Sequence, residues 1–114
     1  NGFDINHPSL SNHPHHTRYK TDFSNGCGTL FSIDMGTKES AFKFLNNLKI
    51  ATQSANIGDS RTLALHMAST IYSDFDEEQK TFLGITDGLI RVSIGLENPQ
   101  DIIQEIAKGI KNSP

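Results

Sequence analysis

Two periods of apolar residues run along this chain, and they assign most of its elements. A period of two appears three times. Over 29–35, β-branched and aromatic residues predict a strand, with Phe31 and Ile33 on one face and Leu30, Ser32 and Asp34 on the other. Over 62–66 a second strand carries Leu63 and Leu65 on one face. Over 89–94 a third sets Ile90, Val92 and Ile94 against Leu89, Arg91 and Ser93. A helical period appears over 38–48, through Ala41, Phe42, Leu45 and Leu48. It returns after Asn98–Pro99, where Ile102, Ile103, Ile106, Ala107 and Ile110 form a stripe.

End signals agree with these periods. Asn98 is a natural N-cap, Pro99 suits the first helical position, and Asp101 favours the positive end of the dipole. Asp76 and Gln79 have capping-box spacing, and Gly84 is a natural stop, which predicts a short helix over 76–83. A short strand over 50–52 and a short helix over 15–21 complete the set. Pro8 and Pro14 punctuate a loop over 6–16, and turn chemistry fills 24–28. Strands and helices alternate with connections of very different length. This predicts an α+β fold, a small mostly antiparallel sheet with helices packed on one face. The two long helices cover the face of Ile90, Val92 and Ile94. The face carrying Arg91 is left open to solvent or to something else.

Composition narrows the function. The 114 residues make one domain, and 35% of them are hydrophobic, enough for a single core. A net charge of −3 offers no nucleic-acid footprint. No apolar run is long enough to span a membrane, and no signal-peptide pattern opens the chain. The one cysteine, Cys27, has no internal partner, which fits a reducing, cytoplasmic setting. The chain opens at Asn1 without a cap or tail composition and reads as a piece of a larger protein; a processed natural product is the alternative.

Arg91 is the most informative residue. A guanidinium inside a strand with an apolar opposite face suits a bidentate anion, a carboxylate or a phosphate. The plainer reading is a solvated arginine paired with Glu97 or Asp87. The loop histidines His7, His13, His15 and His16 lack the scaffold and fourth ligand of a zinc site. Cys27 has no base to activate it. Asp74, Asp76, Glu77 and Glu78 read as a helix start. Ala55-Asn56-Ile57-Gly58-Asp59 reads as a turn.

Two longer strings carry a resemblance. One is Ser54-Ala55-Asn56-Ile57-Gly58-Asp59-Ser60-Arg61-Thr62-Leu63, continued by His66-Met67-Ala68-Ser69-Thr70. The other is Gly84-Ile85-Thr86-Asp87-Gly88-Leu89-Ile90-Arg91-Val92-Ser93-Ile94-Gly95-Leu96-Glu97-Asn98. Together they resemble the end of the Cys/Met metabolism pyridoxal-phosphate enzymes. That family includes cystathionine γ-synthase, cystathionine lyases, methionine γ-lyase and O-acetylhomoserine sulfhydrylase. The resemblance covers nearly the whole chain and implies the C-terminal small domain of a fold-type I enzyme over 1–114.

The resemblance implies that Arg91 grips the α-carboxylate of an amino-acid substrate and that Asn56 lies beside it. Synthase and lyase members usually carry serine at the position of Asn56, so the chain looks most like the sulfhydrylase branch. The implied reaction replaces the acetyl group of O-acetylhomoserine by sulfide to give homocysteine, within methionine biosynthesis. The same domain of a synthase or a γ-lyase is the runner-up, and a stand-alone binding module without catalysis is a third reading. Met67 stands where the family commonly has proline, and Ile71-Tyr72 where it has Thr-His. The Schiff-base lysine and the cofactor's other ligands belong to the family's large domain. This chain alone is therefore expected to hold no pyridoxal 5'-phosphate and to be inert. Its implied partners are that large domain, the substrate carboxylate, and further copies in a homotetramer.

Overall fold

The computed structural model describes residues 3–23, 25–26 and 28–113. Cys27 lies outside the described residues. In chain order the elements are β1 (Asp4–Asn6), α1 (His16–Asp22), β2 (Leu30–Asp34), α2 (Lys38–Asn46) and β3 (Thr52–Gln53). There follow β4 (Leu63–His66), α3 (Glu77–Leu83), β5 (Leu89–Ser93) and α4 (Pro99–Lys111). Five strands form one sheet in the order β1-β2-β5-β4-β3, and every pairing is antiparallel except β3 with β4. The α+β expectation holds, with helices α2 and α4 over one face.

Register decides which side chains share a face. Ile33 pairs with Ile90, and Ile90 with His66; Phe31 pairs with Val92, and Val92 with Ala64. Those residues meet Met35, Ala41, Phe44 and Leu45 in the core. The opposite face carries Ser32, Arg91 and Leu65 in one row and Leu30, Ser93 and Leu63 in the next.

The helices depart from the predicted stripes in detail. Phe44, outside the predicted set, is fully buried, whereas Phe42 is half-buried against the His66 ring at 4.8 Å between centroids. In α4 the inward positions are Ile102, Ile106, Gly109 and Ile110, while Ile103 is 58% exposed and Ala107 also faces out. The cause is Gly109. A Cβ there would lie 3.1 Å from the Phe44 ring, so the bare glycine lets α4 approach closely along its 102–106–109 edge.

The caps follow the sequence. Asn98 accepts from the Gln100 N–H, the Asp76–Gln79 capping box closes at both bonds, and Gly84 takes the left-handed conformation at φ 75°. Two strands do not follow it. β1 has no counterpart among the predicted elements, because only Ile5 in it is apolar. The strand predicted at 50–52 begins only at Thr52. The reason is Glu105, whose carboxylate accepts the backbone N–H groups of Lys49, of Ile50 at 2.6 Å and of Ala51 at 2.9 Å. Donors spent on a carboxylate are not free for a ladder. Among the described residues no helix is long and apolar enough to cross a membrane.

Candidate functional site

Arg91 sits in the middle of β5, between Ser32 of β2 and Leu65 of β4. It is half-buried. Its Nη2 donates to the carbonyl of Ala55 at 2.7 Å, which brings the 54–61 loop over the strand. The open face expected from the strand pattern is therefore open only in part: Leu63, Leu65 and Ser93 on the same side are buried. The Ser93 hydroxyl has no hydrogen-bond partner among the described residues.

The alternative pairings of Arg91 do not form. Glu97 turns to Thr62 instead, and among the described residues the Arg91 guanidinium bonds the Ala55 carbonyl and not the Asp87 carboxylate. Of the three arginines, Arg18 lies on Asp22 at 3.2 Å and Arg61 on Asp59 at 3.0 Å. Arg91 has no carboxylate among the described residues. One of its five N–H donors meets a neutral carbonyl, and the others have no protein acceptor there. Asn56 is exposed one residue beyond Ala55, and its carboxamide makes no hydrogen bond among the described residues. The fold thus brings the two sequence-predicted site residues to one place, a guanidinium and an amide beside one loop carbonyl.

Contacts without a local sequence signature hold this loop. Glu97 accepts from the Thr62 N–H at 2.8 Å and from its hydroxyl at 2.7 Å. The same hydroxyl accepts from the Gly95 N–H at 2.9 Å, and the Leu96 N–H reaches Ser60 at 2.7 Å. Gly95 permits this approach, since a Cβ there would lie 2.4 Å from the Ser60 oxygen. The Thr62 hydroxyl, then its N–H, hold the Glu97 carboxyl below the usual carboxylate range. Within the loop, the Arg61 guanidinium, then its backbone N–H, draw Asp59 down to about 2. The only signal for this in the sequence is Gly95 and Glu97 within the family-like string.

His66 is buried and ties two loops. Its Nε2 donates to the Asp87 carbonyl, so Nδ1 accepts from Ser69 N at 3.3 Å. Met67 is buried, and its N–H donates to Leu89 at 3.1 Å, a bond that a proline there could not make. Tyr72 packs edge-on against Phe75. Three of the four histidines before Thr17 take local partners: His7 bonds Ser9, His13 accepts from the His15 N–H, and His16, at the start of α1, bonds the Pro8 carbonyl. Among the described residues no three metal-ligating side chains converge.

A pyridoxal-phosphate seat beside Arg91 would need a lysine amine close to it. The seven lysines stand on α1, α2, α3 and α4 and, for Lys49, in the turn after α2; none is on β4, β5 or the 54–61 loop. The residues present do not fit the cofactor.

Comparison with known proteins gives the arrangement its context. The family model described as Cys/Met metabolism PLP-dependent enzyme matches residues 3–111. The chain is 36% identical over 107 residues to O-acetyl-L-homoserine sulfhydrylase 1 of Thermus thermophilus, covering 93% of this chain and 25% of that protein. It is 37% identical over 108 residues to L-methionine gamma-lyase of Fusobacterium nucleatum, covering 94% and 27%. A crystal structure of a Campylobacter jejuni protein assigned as an O-acetylhomoserine (thiol)-lyase, holding N'-pyridoxyl-lysine-5'-monophosphate, superposes with a TM-score of 0.87 at 33% identity. That match covers 96% of this chain and 27% of the other. The chain thus spans about a quarter of the length of these relatives. On the match over 3–111 and the shared fold, this chain belongs to the Cys/Met metabolism family of PLP-dependent enzymes.

Proposed function

We propose that residues 1–114 form the C-terminal, substrate-clamping domain of an O-acetylhomoserine sulfhydrylase. The observation that carries the reading is Arg91: a half-buried guanidinium without a carboxylate among the described residues, in a chain whose other two arginines each have one. A free amino-acid carboxylate is the anion that such a group lacks, and a planar fork binds it by two parallel hydrogen bonds. The Ala55 carbonyl orients the fork, and the Asn56 carboxamide offers a further donor at the rim.

The overall reaction converts O-acetylhomoserine and hydrogen sulfide into homocysteine and acetic acid. Its electron sink is the family's pyridoxal phosphate, held outside this chain. What this chain supplies is position: a fixed carboxylate limits the rotation of the substrate and aims its Cα–H bond. The partners are the enzyme's large domain and further copies of the same chain, in the cytoplasm.

Asn56 favours the sulfhydrylase branch over a synthase or γ-lyase, in which serine is usual at that position. The similarity to both a sulfhydrylase and a methionine γ-lyase makes the nucleophile the quantity to measure. The intact enzyme, given O-acetylhomoserine with sulfide or with cysteine, is expected to form homocysteine much faster than cystathionine. Preference for cysteine, or release of methanethiol from methionine as the main activity, would overturn the branch.

A further inference from the structure

The 54–61 loop has no element of its own between β3 and β4, yet it carries the Ala55 carbonyl to Arg91, with Asn56 next along the chain. A segment of that kind needs an anchor at each end. Its start follows β3, which pairs with β4 over only two residues. Its end is the Glu97 carboxylate, with both oxygens on Thr62, backed by Gly95 N–H on the Thr62 hydroxyl and Leu96 N–H on Ser60. Both donors of Thr62, its N–H and its O–H, are therefore spent on one side chain 35 residues away. Glu97 lies beyond the end of β5, the strand that bears Arg91. The carboxylate thus links the strand of the guanidinium to the loop of its neighbours.

We propose that Glu97 is a positioning residue for the Arg91 site: by holding Thr62 it fixes the 54–61 loop so that Ala55 and Asn56 stand against the guanidinium. This rests on the reading of Arg91 as a carboxylate clamp. Glu97 is held by Thr62 and does not bond Arg91, so its effect on the site passes through the loop. None of the core residues under α2 and α4 bonds Glu97, so the link and the core are separate contacts.

The test uses the full-length enzyme with Glu97→Gln, Thr62→Val and Thr62→Ser, and Arg91→Ala as a separate arm. Amide hydrogen exchange of 54–62 is read without substrate, and kcat and KM for the amino-acid substrate are read in parallel. Glu97→Gln and Thr62→Val are expected to speed loop exchange about ten-fold, the equivalent of about 1.4 kcal/mol. They should raise KM several-fold while kcat and the exchange of core amides stay near wild type. Thr62→Ser, which keeps the hydroxyl, should restore both. Unchanged loop exchange, or faster exchange with unchanged KM, overturns the proposal. If Glu97→Gln does not fold, the Thr62→Val and Thr62→Ser pair decides alone. The Arg91→Ala arm keeps the two claims apart: an unchanged KM there fails the clamp reading, while loop exchange still reports whether Glu97 holds the loop.

Discussion

Replacing Gly95 by alanine isolates the approach on which the site's loop depends. The Gly95 backbone lies outside the left-handed region, so an alanine meets no conformational penalty of its own. The cost comes from volume. The new Cβ would stand 2.4 Å from both the Arg61 carbonyl carbon and the Ser60 oxygen, and 2.5 Å from the Thr62 nitrogen. All three are backbone atoms and cannot rotate away. Overpacking of this kind costs about 1–3 kcal/mol. If the 60–62 segment retreats, the bonds from Gly95 to Thr62 and from Leu96 to Ser60 lengthen, at about 1 kcal/mol each. The total is about 3–5 kcal/mol, a large share of the stability of a small domain. Urea unfolding of the 114-residue chain, followed by far-ultraviolet circular dichroism, measures it. With a slope of about 1–3 kcal/mol per molar urea, the midpoint should fall by about 1 M or more. Gly58→Ala is the control: no atom lies within 4 Å of its Cβ, and only its φ of 74° opposes the change. It should cost about 1 kcal/mol. A Gly95→Ala midpoint equal to wild type, or a smaller loss than for Gly58→Ala, would refute the close-approach argument.

Asp76→Ala removes a capping box from a helix without buried residues, at about 1 kcal/mol. Faster amide exchange across 77–83 with little change in Tm is expected; a large fall in Tm would contradict the peripheral position of α3. Glu105→Gln weakens the carboxylate that holds the backbone N–H groups of 49–51, and should lower stability by about 2 kcal/mol in the same urea assay. An unchanged midpoint would mean that the turn holds itself. Hydrogen bonds to Thr62 lower the Glu97 pKa, and contacts with Arg61 lower that of Asp59 to about 2. The unfolded chain therefore binds these protons more readily than the folded one. The stability they add is fully present above the ordinary carboxylate range and is lost as pH falls through the lowered values. Carboxyl NMR should find Glu97 titrating below 4.5, its ordinary value, and a value at or above it would remove the link to Thr62.

Much of the fold is legible in local pattern. The alternation over 89–94 assigned β5 its two faces, and Asn98-Pro99 and Asp76-Gln79 marked helix starts that the structure keeps. Where the reading slipped, a distant group intervened. Gly109 turned α4 toward Phe44, and Glu105 took the donors that the strand over 50–52 needed. Neither contact has a local signature, since each joins residues more than 50 positions apart. At the site, period two put Arg91 opposite the core face, but it could not show that the 54–61 loop folds back over it. Nor could it show that Glu97 binds Thr62 rather than Arg91. A carboxylate six residues from an arginine reads as its partner until the strand between them fixes where each one points.

The proposed grip of Arg91 on a substrate carboxylate is tested most directly by steady-state kinetics of Arg91→Ala and Arg91→Lys in the full-length enzyme. Loss of a charge-assisted fork removes about 1.5–3 kcal/mol of binding, so KM for the amino-acid substrate should rise about 10- to 150-fold in Arg91→Ala. Arg91→Lys should recover only part, because an ammonium keeps the charge without the planar pair of donors. A KM unchanged by Arg91→Ala would contradict the account.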